Sequence, residues 1–177
     1  RRMVDAGLTH VVLEATSHGL AQHRVDAIDY DVAVVTNITH EHLDYHGSYE
    51  QYYAAKERLF TMLTDEWALP TRNVHRERQE PVAVLNRDDS SYERLAALRM
   101  PRSVTYGLHN RAGVTAREIA YGATATRFNL ILPGGELPVD AQLVGDFNLY
   151  NMLAAAAAAE ALGVPGTAIR RGLEQVT

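Results

Sequence analysis

Residues 39–60, THEHLDYHGSYEQYYAAKERLF, concentrate imidazole and carboxylate side chains ahead of a lysine. His42 and His46 are four residues apart in a predicted loop. Together with Glu41 and Asp44 they offer the nitrogen and oxygen ligands that can hold a divalent cation. The alternative is that each histidine lies at the surface or at the edge of the core. The segment therefore indicates a metal site without fixing its ligands.

The lysine of this segment lies on the apolar face of a predicted helix. Residues 48–63 have helical periodicity, and Ser48 with Gln51 three residues later fits a capping box at the start of the helix. Lys56 comes four residues after Tyr52 and four before Phe60. One interpretation is structural, because a lysine stem often covers apolar surface while its ammonium group reaches water. The other is chemical, because a buried lysine can lose its proton.

The use of lysine at this position is itself informative. Lys56 is the only lysine among the 17 lysine and arginine residues of the chain. Arginine stays charged, whereas a neutral lysine amine is a nucleophile. Such an amine can also take up CO2 to form a carbamate, which would turn a cation into a carboxylate-like metal ligand.

Two further polar residues follow predicted strands. The apolar runs HVVLEA (residues 10–15) and DVAVVTN (residues 31–37) predict buried parallel strands that end near Glu14 and Asn37. Open α/β sheets bind ligands at the carboxyl edge of their strands. Both side chains are therefore candidates for one crevice with His42 and Lys56, although Glu14 could instead cap a loop.

The segment SHGLAQHRV (residues 17–25) continues directly from that edge. Ser17, Gln22 and Arg24 offer a hydroxyl, an amide and a guanidinium fork, which suit a phosphate or a sugar. A polar surface loop without a ligand is the alternative.

GDFNLYN (residues 145–151) begins another predicted helix. Asn148 and Asn151 are three residues apart and so share a helical face. Asparagine both donates and accepts hydrogen bonds and can recognise an adenine edge, but Asn148 could equally be a helix cap. The pattern G-x-x-x-x-G-K-[ST] is absent from these 177 residues, whose only lysine is Lys56.

Composition narrows the class of protein. The net charge of −5 argues against a nucleic-acid partner, because such surfaces are usually basic. No apolar run approaches the roughly 18 residues of a membrane span. The lack of cysteine excludes disulfides and thiolate metal sites and is compatible with the cytoplasm.

The predicted elements define an α/β fold, with a mostly parallel sheet flanked by helices and a small antiparallel meander over about 113–145. We treat residues 1–177 as a single domain. The remaining predictions are strands at 82–89 and 103–108, helices at 90–100, 147–163 and 165–176, and a loop or short helix at 64–80.

The order and spacing of these motifs resemble the central domain of the Mur ligases. The segments that carry the resemblance are LEATSHGLAQHRV, TNITHEHLDYHG, YAAKERLF, NRDD and GDFNLYNMLAA. SHGLAQHRV resembles most closely the MurE branch, the UDP-N-acetylmuramoyl-tripeptide synthetases. The resemblance implies a cytoplasmic ligase of peptidoglycan biosynthesis. Such an enzyme uses ATP and Mg2+ to add an amino acid to a UDP-N-acetylmuramoyl-peptide through an acyl phosphate.

The resemblance also implies roles for individual residues. Glu14 and His42 resemble magnesium ligands, and Lys56 resembles the lysine that the family carbamylates for the same purpose. The implied contacts to the UDP-muramoyl substrate are Thr16, Ser17, Gln22 and Arg24. Asn37 is implied near the phosphates, and Asn148 and Asn151 on the adenine side.

The chain departs from the family pattern in two places. The usual E-V-S-S reads Glu14-Ala15-Thr16-Ser17, and the usual D-H-L-D begins with Glu41, whose longer side chain could shift its neighbours. We expect the family's phosphate loop upstream of residue 1, and its uridine-binding and C-terminal domains outside these residues. On that expectation the 177 residues alone cannot complete the reaction.

Two other functions compete with the ligase. A non-catalytic remnant would bind a nucleotide-sugar or a partner protein without ATP turnover. A metal-dependent hydrolase built on the histidines would turn over with a metal and without ATP.

Overall fold

The computed structural model describes residues 2–39, 43–67 and 80–176. Up to residue 106, three strands are interspersed with helices, and an antiparallel unit and two helices follow. In chain order the elements are α1 (Arg2–Asp5), α2 (Ser17–Ala21), β1 (Val32–Val34), α3 (Leu43–His46), α4 (Tyr49–Trp67), β2 (Val82–Asn86), α5 (Tyr92–Ala96), β3 (Arg102–Tyr106), β4 (Thr115–Tyr121), β5 (Thr126–Leu132), β6 (Gly135–Ala141), α6 (Asp146–Ala161) and α7 (Gly166–Glu174). Within the described ranges no helix has both the length and the apolarity of a membrane span.

The first sheet is parallel, as predicted, with strand order β1-β2-β3. All five residues of β2, VAVLN, are buried. An unbroken apolar run is what a central parallel strand needs, because both of its faces are covered. Helix α4 packs on one face through Phe60 and Leu63, and helix α6 packs on the other through Leu149 and Leu153.

The predicted strand at residues 10–15 is wrong. Residues 8–16 have no regular secondary structure, and the side chains of Val11 and Val12 are exposed. Strand propensity produces a strand only where a neighbouring strand pairs with the backbone and a layer covers the side chains. The described part of the chain provides neither for this segment.

Helix α4 begins as predicted and ends later than predicted. The backbone N–H of Gln51 donates to the Ser48 hydroxyl at 3.2 Å, which confirms the predicted cap. Of the loop or short helix predicted at residues 64–80, residues 64–67 are helical, although they continue α4 to Trp67 and do not form a separate helix. These residues include no glycine or proline, so nothing local stops the helix there. Residues 68–79 of that prediction lie outside the described residues.

The other predicted elements form with shifted ends. The strand predicted at 31–37 is regular only over Val32–Val34, and the helix predicted at 90–100 only over Tyr92–Ala96. The strand predicted at 82–89 stops at Asn86 because the next residues turn, and the Asp89 N–H bonds back to the Asn86 carbonyl at 3.3 Å.

The second sheet is an antiparallel meander, β4-β5-β6, within the predicted range. Gly135, at the start of β6, adopts φ +138°, a backbone conformation that favours glycine. Buried residues of this sheet, including Phe128 and Leu130, share one apolar cluster with Val84 of β2 and Leu153 of α6. The two sheets are thus joined through a common core.

Helix α6 lies on the parallel sheet and runs against the strand direction. Its last carbonyl, that of Ala161, accepts a hydrogen bond at 3.0 Å from Arg102, the first residue of β3. The alanine run from residue 154 places small side chains on the buried face, including fully buried Ala156 and Ala157. The N-terminus of α6 is therefore at the carboxyl edge of the sheet.

The shared core predicts that two leucine truncations, in or next to α6, will lower the free energy of unfolding by different amounts. Leu153→Ala removes a fully buried side chain and should lower the free energy of unfolding by about 2–5 kcal/mol. Leu162→Ala is the matched control, because Leu162 is 41% exposed and should cost less than about 1 kcal/mol. Urea denaturation followed by circular dichroism measures both, and equal costs would contradict this description of the core.

Candidate functional site

Polar residues collect where the parallel strands end. Asn37 follows β1 and is exposed, and Asn86 is the last residue of β2. The Asn86 amide donates to the Thr36 carbonyl at 2.8 Å, and its oxygen accepts from the Asp88 backbone N–H at 3.0 Å. The ends of β1 and β2 are thereby joined at this edge.

The end of β1 is also held from β3. The hydroxyl of Tyr106 donates to the Val35 carbonyl at 2.8 Å and lies 3.4 Å from the Thr36 carbonyl. Tyr106 is completely buried, and burial raises the pKa of its phenol. The hydroxyl therefore stays protonated and keeps the backbone before Asn37 in place.

The Asp88 carboxylate lies within a nest of backbone N–H groups. Leu108, His109 and Asn110 donate to it at 2.5, 3.0 and 2.8 Å. Burial alone would raise the pKa of Asp88, but these donors and the Tyr150 hydroxyl outweigh burial and lower the pKa to about 2. The group is ionised at neutral pH.

Close approach of the backbone makes the Asp88 nest possible. A Cβ at Gly107 would lie 2.8 Å from Asp88 Oδ2, closer than two such atoms pack. Glycine at this position lets the loop after β3 fold over the carboxylate.

The same carboxylate connects the sheet edge to α6. The Tyr150 hydroxyl donates to Asp88 Oδ2 at 2.8 Å. Burial and this bond both raise the pKa of Tyr150. The first turns of α6 are thus fixed beside the strand ends, and with them Asn148 and Asn151. The structure therefore brings these two asparagines to the edge where Asn37 lies.

The two asparagines have different surroundings. The Asn148 amide donates to the Val144 carbonyl at 2.9 Å, so this side chain contributes to the start of the helix. Asn151 is exposed. Phe147, beside them, is 87% exposed.

Lys56 is partly buried on α4, between the buried residues Tyr53 and Phe60 along the same helix. Arg94 of α5 holds this helix through ion pairs with Glu50 at 2.6 Å and Glu57 at 3.0 Å. Its guanidinium also stacks on the Tyr53 ring, 4.0 Å from the centroid.

The segment after Glu14 packs against α3. Ser17 is buried, and its hydroxyl is hydrogen bonded to His46 Nε2 at 3.0 Å. The Gln22 amide donates to the Tyr45 hydroxyl at 2.8 Å, and the Tyr45 ring lies 3.9 Å from the His18 ring. Two of the four predicted substrate residues are therefore bonded to one short helix.

The other two predicted substrate residues are exposed. Thr16 caps α2 by accepting the Gly19 N–H at 3.1 Å. Arg24 lies in the turn that follows α2.

The predicted metal ligands are only partly within the described residues. Glu14 is exposed on the irregular segment before α2, whereas His42 and Glu41 lie outside the described residues. Among the residues that are described, no group of three or more histidine, cysteine or carboxylate side chains could hold a metal ion. The oxygen donors of Glu14 and of a carbamate on Lys56 would suit Mg2+. The ligand set stays a prediction.

Sequence reasoning did not single out Asn86, Asp88 or Tyr150. The available signal was the polar turn NRDD directly after a buried strand. Its partners are about 20 and 60 residues further along the chain, so local pattern alone could not identify them.

Comparison with known proteins defines the class. Residues 1–159 match the Mur ligase middle domain model, and the chain belongs to this family. It is 42% identical over 176 residues to the UDP-N-acetylmuramoyl-L-alanyl-D-glutamate–2,6-diaminopimelate ligase of Geobacillus kaustophilus, covering 99% of this chain and 34% of that protein. UDP-N-acetylmuramyl-tripeptide synthetase 2 of Oceanobacillus iheyensis is 42% identical over 153 residues, covering 86% of this chain and 29% of that protein.

Comparison with solved structures leads to the same family. A UDP-N-acetylmuramoyl-L-alanyl-D-glutamate–2,6-diaminopimelate ligase superposes with a TM-score of 0.82 at 32% identity, covering 98% of this chain and 34% of that one. A MurF from Acinetobacter baumannii superposes with a TM-score of 0.69 at 25% identity, covering 84% of this chain and 29% of that one. The predicted family and α/β fold are confirmed. The chain spans about a third of the length of the curated relatives it matches.

The Asp88 nest predicts a pH-dependent stability difference. Because the folded-state pKa is lowered to about 2 from 3.8, the carboxylate stabilises the fold at neutral pH, and this contribution is lost as the pH falls from about 4 through 2. Asp88→Asn should cost about 1–3 kcal/mol of unfolding free energy at pH 7. The difference from the wild type should shrink below about pH 4.

The control is Asp140→Asn, which alters an ion pair with Arg127 between two exposed side chains and should cost less than about 1 kcal/mol. Urea titrations at pH 7, 4 and 2 measure all three proteins. A deficit for Asp88→Asn that stays constant down to pH 2 would contradict the proposed ionised nest.

Proposed function

We propose that this chain is the middle domain of an ATP-dependent ligase that adds an amino acid to a UDP-N-acetylmuramoyl-peptide in peptidoglycan biosynthesis. The observation that carries the proposal is the 42% identity, over 99% of this chain, to a ligase whose name specifies that substrate and 2,6-diaminopimelate. A cytoplasmic location is part of the proposal and is compatible with a chain that has no cysteine.

The nucleotide would bind at the carboxyl edge of the parallel sheet. Asn151 has an exposed amide at the start of α6, and Asn148 lies one turn earlier, where both are suited to an adenine edge. Asn37 would lie toward the phosphates. The bonds from Thr36 through Asn86 to Asp88 support this assignment, since they join the two regions.

Mg2+ would be held by Glu14, His42 and Lys56, the last as a carbamate. When bound, the cations would neutralise phosphate charge during transfer. Lys56 is partly buried and is the only lysine of the chain, which supports a chemical role for its amine.

The UDP-muramoyl substrate would contact the segment around α2. Thr16, Gln22 and Arg24 are exposed there and offer a hydroxyl, an amide and a guanidinium. Ser17 is buried, so it would contribute through its bond to His46.

The reaction would have two steps. A substrate carboxylate oxygen attacks the γ-phosphorus of ATP, and ADP leaves, which gives an acyl phosphate. The amine of the incoming amino acid then attacks the acyl carbon, phosphate leaves, the amine proton is released, and an amide bond forms. The middle domain would orient the phosphate groups for the first step.

Lys56 provides the central test of this proposal. In the full-length natural protein, Lys56→Ala should lower the rate of ATP-dependent ligation at least about 100-fold, because removal of a transition-state electrostatic group typically costs this much. Lys56→Arg should not restore it, since arginine keeps the charge but cannot form the carbamate. The assay measures ADP and the peptide product with UDP-N-acetylmuramoyl-L-alanyl-D-glutamate and a panel of amino acids.

Arg58→Lys, two residues along the same helix, is the matched control. It retains a positive charge near Asp26, which Arg58 contacts at 2.5 Å, and should keep most of the activity. Full activity in Lys56→Ala would overturn the carbamate role. A wild-type protein that binds the nucleotide-sugar tightly but never consumes ATP would favour the non-catalytic remnant instead.

The carbamate can be detected directly. Since Lys56 is the only lysine of the 177 residues, 13C-bicarbonate should give one side-chain carbamate resonance in this chain. The resonance should disappear in Lys56→Arg, which separates it from a carbamate on the terminal amine. A spectrum that Lys56→Arg leaves unchanged would show that Lys56 is not carbamylated in this chain.

A further inference from the structure

We propose that Asp88 is a positioning residue that fixes the adenine-side helix α6 relative to the strand ends on the phosphate side. The inference rests on the proposed function and extends it to residues that none of the motif-based assignments includes. It is carried by the hydrogen bonds between Thr36, Asn86, Asp88 and Tyr150.

The start of α6 is held by the buried Leu149 side chain and by two tethers, which are side-chain hydrogen bonds to neighbouring parts of the chain. Its N-cap is Gly145, which has no side chain with which to cap the helix and which adopts φ +89°. Phe147 projects into solvent. One tether is the exposed bond from Tyr121 to Asp146, and the other is the partly buried bond from Tyr150 to Asp88. The second tether reaches the parallel sheet.

From Asp88 the connection continues across the sheet edge. The Asp88 N–H donates to the Asn86 side-chain oxygen, and the Asn86 amide donates to the carbonyl of Thr36, the residue before Asn37. A short series of bonds therefore runs from the neighbour of Asn151 to the neighbour of Asn37. An ATP molecule that contacts both regions would depend on their relative position.

The Asp88 oxygens are already occupied, so the residue acts through its neighbours. Oδ2 accepts from Leu108, His109 and Tyr150, and Oδ1 accepts both from the backbone and from the side-chain amide of Asn110. These five donors leave little capacity for a metal ion or a proton-transfer role. The carboxylate is held rigidly and presents a fixed acceptor to Tyr150.

The test removes the link to α6 and leaves the nest intact. Tyr150→Phe deletes one hydroxyl and keeps the ring. In the full-length natural protein this variant should raise the KM for ATP about tenfold, the effect of losing a bond to a charged group. The value of kcat and the KM for the UDP-muramoyl peptide should each change less than about twofold, since the bond acts on nucleotide placement alone.

Ile169→Val is the control for a general loss of stability. Ile169 is a buried residue of α7 in the same core, and this truncation removes one methyl group away from the sheet edge. It should lower the melting temperature without raising the KM for ATP. If Ile169→Val raises that KM as much as Tyr150→Phe does, the positioning role is overturned.

A double-mutant cycle tests whether Tyr150 acts through Asp88. Combined with Asp88→Asn, Tyr150→Phe should add less than its single effect on the KM for ATP, because both changes break the same link. Additive effects would overturn the inference while the ligase function stands. A wild-type protein without ATP-dependent ligation would instead overturn the proposed function, and the positioning role with it.

Discussion

The Asp88 carboxylate is the point at which three separate parts of the chain meet. The turn after β2 carries it, the loop after β3 surrounds it with N–H groups, and the first turns of α6 reach it through Tyr150. Within the described part of the chain, neutral N–H and hydroxyl groups, and no cation, stabilise the charge of this carboxylate. The position of the carboxylate therefore depends on backbone positions that the fold determines. Moving the loop after β3 or the start of α6 would remove donors from a partly buried carboxylate, which costs free energy. One charged group therefore couples these three parts at the carboxyl edge of the sheet.

Apolar packing holds the helices and sheets around that edge together. Helix α6 contributes to a core that both sheets share, and its alanines allow a close approach to the strands. On the opposite face, α4 covers β1 and β2 with tyrosine, phenylalanine and leucine side chains. The two helices differ in composition, because α6 contributes mainly alanine and leucine to its face of the sheet and α4 contributes larger aromatic side chains. Hydrophobic burial fixes the layers, and the hydrogen bonds at the edge fix the residues that could touch a ligand.

The sequence alone predicted the parts of the fold that depend on local patterns. The run VAVLN predicts a buried strand, the cap at Ser48 predicts the start of α4, and the motifs from LEATSHGLAQHRV to GDFNLYN identify the family. The strand expected at residues 10–15 failed because a strand needs partners, and propensity says nothing about them. The Asp88 nest was missed for a related reason. Its donors come from residues 108–110 and 150, and only the folded topology brings them to the turn.

Lysine and arginine occupy different positions around α4. Arg94 anchors α4 through two carboxylates and a tyrosine ring, and those carboxylates raise its pKa further, so it stays protonated. A permanent charge suits a residue whose task is to hold a helix. Lys56 lies on that same helix, one turn from Tyr53, in a partly buried position. Arginine occupies all the other lysine and arginine positions of the chain, so lysine at position 56 is an exception to the general use of arginine. Arg94 of α5, which is permanently charged, thus anchors α4, the helix that carries the only lysine.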